Sequence, residues 1–280
     1  MSDAFGIRDM TLGDLKLAAD WAAAEGWNPG LEDAEAFHGV DPGGFLMGWL
    51  GDTPVTAISV VRHSDTFGFL GFYLCHPDHR GKGYGWATWQ AGMAHLGIRT
   101  VGLDGVPAQE ANYARSGFQL VHHTKRYAGR IAGKTDAGCG PLDDAERSSV
   151  LAMDRSVSAA DRGAYLSAWT ADTATRHTLA VRTEDRLAGF GTIRACRQGH
   201  KIGPVFAPDA VIAERLIRAL VAHANASEVM IDIPDPNRAG IGLAGAMGLE
   251  PVFSCARMYR GAVPNRRVAH IFGETTFELG

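Results

Sequence analysis

Leu74-Cys75-His76-Pro77-Asp78-His79-Arg80-Gly81-Lys82-Gly83-Tyr84-Gly85-Trp86-Ala87 is the stretch from which the fold can be read. An apolar segment from Phe67 to Cys75 precedes it and reads as a buried strand. A helical pattern to about Leu96 follows, with Trp86, Trp89, Met93 and Leu96 spaced by three and four as a core stripe. Gly81, Gly83 and Gly85 alternate between the two, with Arg80 in front and Lys82 inside. A strand, a glycine-rich turn and a helix N-terminus can present several N–H groups to one anion, and the helix dipole adds partial positive charge. The turn lacks the Gly-Lys-Ser/Thr ending of a P-loop and the G-x-G-x-x-G register of a dinucleotide site. A pyrophosphate cradle of another kind remains.

Outward from this turn, the first half reads in order. Phe5 to Arg8 is a short strand, and Thr11 caps a helix with Asp14 at its third position. After Gly26 come Trp27-Asn28-Pro29-Gly30 and a second helix at about 31–37. Trp27 is either a hydrophobic staple or an aromatic wall of a substrate pocket. Strands follow at 45–50 and 55–63, with a turn at Gly51-Asp52-Thr53-Pro54. Beyond the central helix lie a strand at 100–103, the short helix Ala111-Asn112-Tyr113-Ala114-Arg115-Ser116 stopped by Gly117, and closing strands at 118–122 and 125–127.

Arg80 to Gly85, preceded by the strand and His76-Pro77, resemble the acyl-CoA signature of the GNAT N-acetyltransferase superfamily. Asn112-Tyr113-x-x-x-Gly117-Phe118 resembles its second signature, and the element order matches over about residues 5 to 130. The resemblance implies acetyl-CoA as co-substrate. Leu74, Cys75, Arg80, Gly81, Lys82, Gly83, Tyr84, Gly85 and Trp86 would hold it, with Asn112 either joining them or capping its helix. It also implies that Tyr113 points at the coenzyme sulfur and acts as general acid, against the alternative of a core tyrosine beside Phe118. The linker with Trp27 and Asn28, together with Phe72, would line the acceptor site. Family members often use a Glu on the central strand as base, but Gly71-Phe72-Tyr73-Leu74-Cys75 carries no carboxylate. Asp104 remains, either as a base or as a turn residue bonded to its own backbone. Cys75 has no His–carboxylate pair set by the sequence to activate it, so direct transfer is the expected route.

Residues 131–141, with three glycines, read as a linker between a domain at 1–130 and another at 142–280. The second half repeats the first at an offset near 130 residues. Thr100 to Asp104 corresponds to Val229 to Ile233, Gly117-Phe118 to Gly248-Leu249, and Arg126-Tyr127-Ala128-Gly129 to Met258-Tyr259-Arg260-Gly261. In place of the cradle it has Gly203-Pro204-Val205-Phe206-Ala207-Pro208-Asp209, with no cation and an acidic residue at the helix start. Ala244 stands where the tyrosine would be. The chain is therefore expected to be α/β (α+β): two tandem GNAT-like domains, each with a mostly antiparallel twisted sheet flanked by helices, the second degenerate. A final strand is expected over 268–279.

The 280 residues are 46% apolar and 21% charged, which allows a sizeable core. A net charge of −4 without long runs of one sign argues against nucleic acid or an anionic membrane as partner. The eleven histidines and four cysteines show no metal-ligand spacing and no C-x-x-C, which fits a reducing cytoplasm. Met1 to Phe5 does not open a secretory leader. The expected activity is acetyl transfer to a small-molecule amine by a monomer or homodimer. The rival is a module that binds acyl-CoA as a sensor without turning it over.

Overall fold

The computed structural model describes residues 4–184 and 186–280. Met1, Ser2 and Asp3, read above for a leader, and Asp185 lie outside the described residues. The first half runs β1 (Phe5–Asp9), α1 (Leu12–Ala24), α2 (Asp33–His38), β2 (Phe45–Leu50), β3 (Thr53–Arg62), β4 (Phe67–Cys75), α3 (Tyr84–Leu96), β5 (Thr100–Gly105), α4 (Glu110–Arg115) and β6 (Gln119–Arg130). The second half runs β7 (Cys139–Pro141), α5 (Arg147–Ser158), α6 (Gly163–Trp169), β8 (Arg176–Thr183), β9 (Arg186–Ala195), β10 (His200–Phe206), α7 (Ala210–His223), β11 (Glu228–Pro234), α8 (Arg238–Ala246), β12 (Glu250–Arg260) and β13 (Ile271–Gly273).

Local chemistry accounts for the starts of three helices. Thr11 and Asp14 form a reciprocal capping box on α1, as their spacing predicts. Asn237 caps α8 and Asp209 caps α7, each by accepting from a first-turn N–H. α7 buries Ile212, Leu216, Ile217 and Leu220 against β9 and β10, and this makes the core of the second half. In the first half, Ile58, Val60, Leu70 and Leu103 of the sheet meet Trp89 and Leu96 of α3.

All strands share one sheet, ordered β1-β2-β3-β4-β5-β12-β6-β11-β10-β9-β8-β7, with β13 on β10. The repeat is visible in this order. β4 pairs parallel with β5 and β10 pairs parallel with β11, each joined through a helix. The last strand of each half is exchanged: β12 pairs with β5, and β6 pairs with β11. Two expected strands at 118–122 and 125–127 are thus one unbroken strand, because β11 and β12 flank it on both sides. The stretch expected as a linker is held to α7 by Lys134 N–H donating to the Arg218 carbonyl, and it ends in strand β7.

The final strand expected over 268–279 is reduced to β13. Beyond it, residues 274–280 turn inward and are buried throughout. Tyr165 and Thr276 share a hydroxyl hydrogen bond of 3.0 Å, Arg162 donates to the Gly280 carbonyl, and Glu274 N–H donates to the Asp232 carbonyl at 2.8 Å. The segment passes directly under Gly71 of β4, where any Cβ would collide with the Glu278 carbonyl.

One consequence can be measured. His63 Nε2 lies 2.8 Å from the Leu279 carbonyl, and burial beside Arg162 depresses the imidazole pKa to about 4. Burial does the same to His122, which also falls to about 4. Between pH 6.5 and 4 the unfolded chain binds protons that the folded one refuses. Stability is therefore full above pH 6.5 and falls as pH drops through that window, by at most about 3 kcal/mol for His63. Urea unfolding at pH 7.5 and 5 should show the loss, and His63→Gln should reduce it. A pH dependence unchanged in that variant would remove His63 as a cause.

Candidate active site

β4 and β5 are bonded only over Phe67–Leu70 and Thr100–Leu103, and then they part. The cause is a bulge in β4: the pairing with β3 slips between Gly71 and Leu74, and Phe72 takes φ +44°. Past the bulge, His76 N–H donates to the Val55 carbonyl. Strand alternation then turns the Cys75 N–H toward the gap. The gap opens into a cavity of about 570 Å³. Gly81, Gly83, Gly85 and Trp86 line its mouth, β4 and Tyr113 its middle, and Trp27, Arg126, Phe253, Phe277 and Glu278 also form its wall.

At the mouth, Gly81 and Gly83 have φ of +74° and +86°, values that only glycine adopts cheaply. Gly83 is the N-cap of α3 and offers no capping side chain, and the first turn holds no acidic residue. The first N–H groups of α3 are therefore available to an anion. The two cations act otherwise than expected. Arg80 lines the cavity, but it ion-pairs with Glu25 and donates from Nε to the Cys75 carbonyl at 3.0 Å. Lys82 donates to the Asp78 carbonyl at 2.8 Å and does not line the cavity. Tyr84 faces away as well, stacked on Phe5. The loop thus offers backbone rather than charged side chains. Trp86, expected in the core stripe, is 56% exposed at the rim, while Trp89 and Leu96 are buried.

The second half shows the same frame with the site filled. Asp209 accepts from the Ile212 N–H and so occupies the helix end with the protein's own anion. β13 lies in the gap beside β10, pairing Val205 with Gly273. Asp209 and β13 thus take up the helix end and the strand gap that the first half leaves open.

In the first half, Tyr113 stacks on Trp89 with ring centres 5.8 Å apart, and Phe118 meets the same Trp89 ring edge-on. Burial pushes its hydroxyl above the usual phenol range, and nearby Tyr73 adds to the effect. Tyr73, which sequence reasoning passed over, also lines the cavity and is pushed up to about 12, chiefly by burial. Both phenols stay protonated at neutral pH. Burial likewise raises the Cys75 thiol despite Arg80 and Lys82, so it is not an activated nucleophile.

Two models of GNAT sequences match this chain, an acetyltransferase (GNAT) family at residues 14–118 and an acetyltransferase (GNAT) domain at 150–273. A holothin acyltransferase of Pseudoalteromonas sp. (strain SANK 73390) is 33% identical over 96% of this chain and 92% of its own. The chain belongs to the GNAT acetyltransferase family. Solved structures with the same fold include an acetyltransferase structure from Pyrococcus horikoshii, at TM-score 0.82 and 22% identity over 99% of this chain and 96% of the other. A tandem GNAT protein from the clavulanic acid biosynthesis pathway aligns with TM-score 0.62 and 14% identity over 93% of this chain and all of the other. The family uses acyl-CoA, and the open end of α3 fits its pyrophosphate.

The remaining expected residues of this GNAT protein divide. Trp27 and Phe72 line the cavity, and Phe72 also meets Phe37 edge-on. Asn28 does not: its amide donates to the Gln198 carbonyl at 2.8 Å and accepts from the Gln198 N–H at 3.1 Å, which fastens the α1–α2 linker to the second half. Asn112 is exposed, bonded to Gln109 and Arg115 and not part of the cavity wall, and Gln109 rather than Asn112 stands at the N-cap of α4. Gln109 lines the cavity instead.

Asp104 is corrected too. Arg257 of β12 donates to both its oxygens, at 2.7 and 2.6 Å, and its side chain is fully buried. Burial raises its pKa to about 6 while Arg257 pulls it down. This bidentate pair, and not a bond to its own backbone, holds Asp104, and it ties β5 to β12.

Arg126 lines the cavity but is equally committed. It donates to both Asp232 oxygens, at 2.7 and 2.9 Å, and to the Trp27 carbonyl at 3.1 Å. Lys201 donates to the same carbonyl at 2.8 Å. The guanidinium lies 5.5 Å from the Phe253 ring and 5.0 Å from that of Phe277. Among the described residues, no group of three His, Cys, Asp or Glu side chains could hold a metal ion. No helix among them is long and apolar enough to cross a membrane.

Proposed function

We propose that this GNAT protein moves an acetyl group from acetyl-CoA to the amine of a small molecule by direct attack. The observation that carries this reading is a single cavity with two different ends. Its mouth is the uncapped N-terminus of α3, suited to a pyrophosphate. It passes through the gap between β4 and β5 and continues to aromatic walls drawn from both halves.

Acetyl-CoA, when bound, supplies a thioester whose carbonyl carbon is open to attack. The Cys75 N–H, turned toward the gap, donates to the carbonyl oxygen as charge develops on it. Tyr113, protonated and buried, donates to the sulfur as it leaves. Trp27 and Phe72 hold the acceptor away from water. The enclosure favours a small molecule over a protein lysine, and the similarity to an acyltransferase of holothin points the same way.

The reading is tested by following thiol release from acetyl-CoA with a panel of small amines that includes holothin. Amine-dependent release is expected. Coenzyme binding without release from any amine would favour a binding module.

A further inference from the structure

The family's usual base is missing from β4, and Asp104 is committed to Arg257. The cavity wall contains three carboxylates among the described residues: Glu25, Asp104 and Glu278. Glu25 sits at the mouth in an ion pair with Arg80. Glu278 is different. It is 5% exposed, yet neither of its carboxylate oxygens takes part in a hydrogen bond or ion pair among the described residues; only its main-chain carbonyl does, accepting from Ser59 Oγ at 3.5 Å. Nearby Arg126 is already paired with Asp232 and shielded by Phe253 and Phe277.

The backbone that carries Glu278 is held in place. Its neighbours are fixed by the Tyr165–Thr276 bond, by the Leu279 N–H donating to Thr276 Oγ1 at 3.0 Å, and by His63 on the Leu279 carbonyl. Its own backbone passes beneath Gly71, at the bulge that parts β4 from β5. A carboxylate that lines the cavity with no protein partner among the described residues is open to a hydrogen-bonding or cationic group of a bound molecule.

We propose that Glu278, delivered by the buried segment 274–280 of the second half, binds the acceptor's amine and takes its proton during transfer. This inference rests on the N-acyltransferase reading above. The amine nitrogen forms a bond to the acyl carbon as the carbon–sulfur bond breaks. One amine proton passes to Glu278, directly or through one water, and the leaving sulfur receives a proton from Tyr113. Exchange with solvent restores both groups, and the products are an amide and free CoA. The second half therefore contributes a carboxylate to the first half's chemistry, although its own coenzyme cleft is closed. The acceptor class follows: an aromatic or otherwise flat amine with one nitrogen presented to Glu278 and its body among Trp27, Phe72, Phe253 and Phe277.

The test compares wild type with Glu278→Gln, Glu278→Asp and Glu278→Ala, each checked for thermal unfolding and for acetyl-CoA binding by calorimetry. Glu278→Gln should bind acetyl-CoA as wild type does and lose about 10²–10⁴-fold in kcat with an accepted amine. Glu278→Asp should lose less. Added formate should restore part of the rate to Glu278→Ala, an effect that a purely structural role would not produce. A Gln variant that transfers at the wild-type rate would overturn the assignment while leaving the acyltransferase reading intact. Loss of coenzyme binding in all three variants would also overturn it, making Glu278 a packing residue. Absence of transfer by the wild type itself would overturn both.

Discussion

Replacing Tyr113 with phenylalanine is expected to lower kcat for acetyl transfer by about 10²–10⁴-fold, the range for loss of a positioned general acid. Affinity for acetyl-CoA should stay near the wild-type value, because the pyrophosphate is proposed to sit on the N-terminus of α3 whereas Tyr113 packs on Trp89 in the middle of that helix. The ring would remain: it stacks on Trp89 and fills the space beside Gly105, where a Cβ would strike it. Only the hydroxyl is lost, and burial keeps that hydroxyl protonated well above neutral pH. Steady-state thiol release and calorimetry on the same preparations separate the two effects. A Phe variant with full turnover would mean that the sulfur leaves unaided or that Tyr73, also buried in the cavity wall, serves in its place.

The second large effect concerns stability. Asp104→Asn should destabilise the fold by about 3 kcal/mol, toward the low end for breaking a buried ion pair. The substitution leaves Arg257 buried without its bidentate partner. Glu274, 3.5 Å from Arg257, already serves Arg266 and offsets only part of the loss. Since Asp104 and Arg257 join β5 to β12, unfolding of both halves should shift together. Urea denaturation followed by tryptophan fluorescence would measure this. An Asn variant as stable as wild type but slowed in transfer would return Asp104 to the role of base.

These two residues mark what could be read from sequence and what could not. Tyr113 was singled out by the resemblance of its stretch to the second GNAT signature, whereas the glycine turn and its flanking strand and helix are local: each follows from residues within a few positions. The degenerate second site was legible for the same reason, since Asp209 is a helix cap in its own right. Asp104 and Asn28 could not be placed from sequence because distant partners decide their contacts. Arg257 is 153 residues from Asp104 and Gln198 is 170 from Asn28, and no local pattern reports such pairings. The exchange of β6 and β12 was hidden likewise, because a strand's own alternation does not say which half it joins. Glu278 was the hardest to see. The apolar run from Ile271 onward reads as a strand, but Arg162, Tyr165 and His63 draw 274–280 beneath β4 instead. A closer signal was available in Gly71, a strand glycine that marks another backbone passing close by.

The central claim is that one coenzyme binds at the N-terminus of α3 and none in the second half. Calorimetric titration of acetyl-CoA into the wild type and into Gly83→Val tests it most directly. A valine cannot adopt the φ of +86° without strain, and its side chain would cover the N–H groups meant for the pyrophosphate. The account predicts one site per chain in the wild type and no measurable site in the variant. Two sites, or undiminished binding by Gly83→Val, would contradict it.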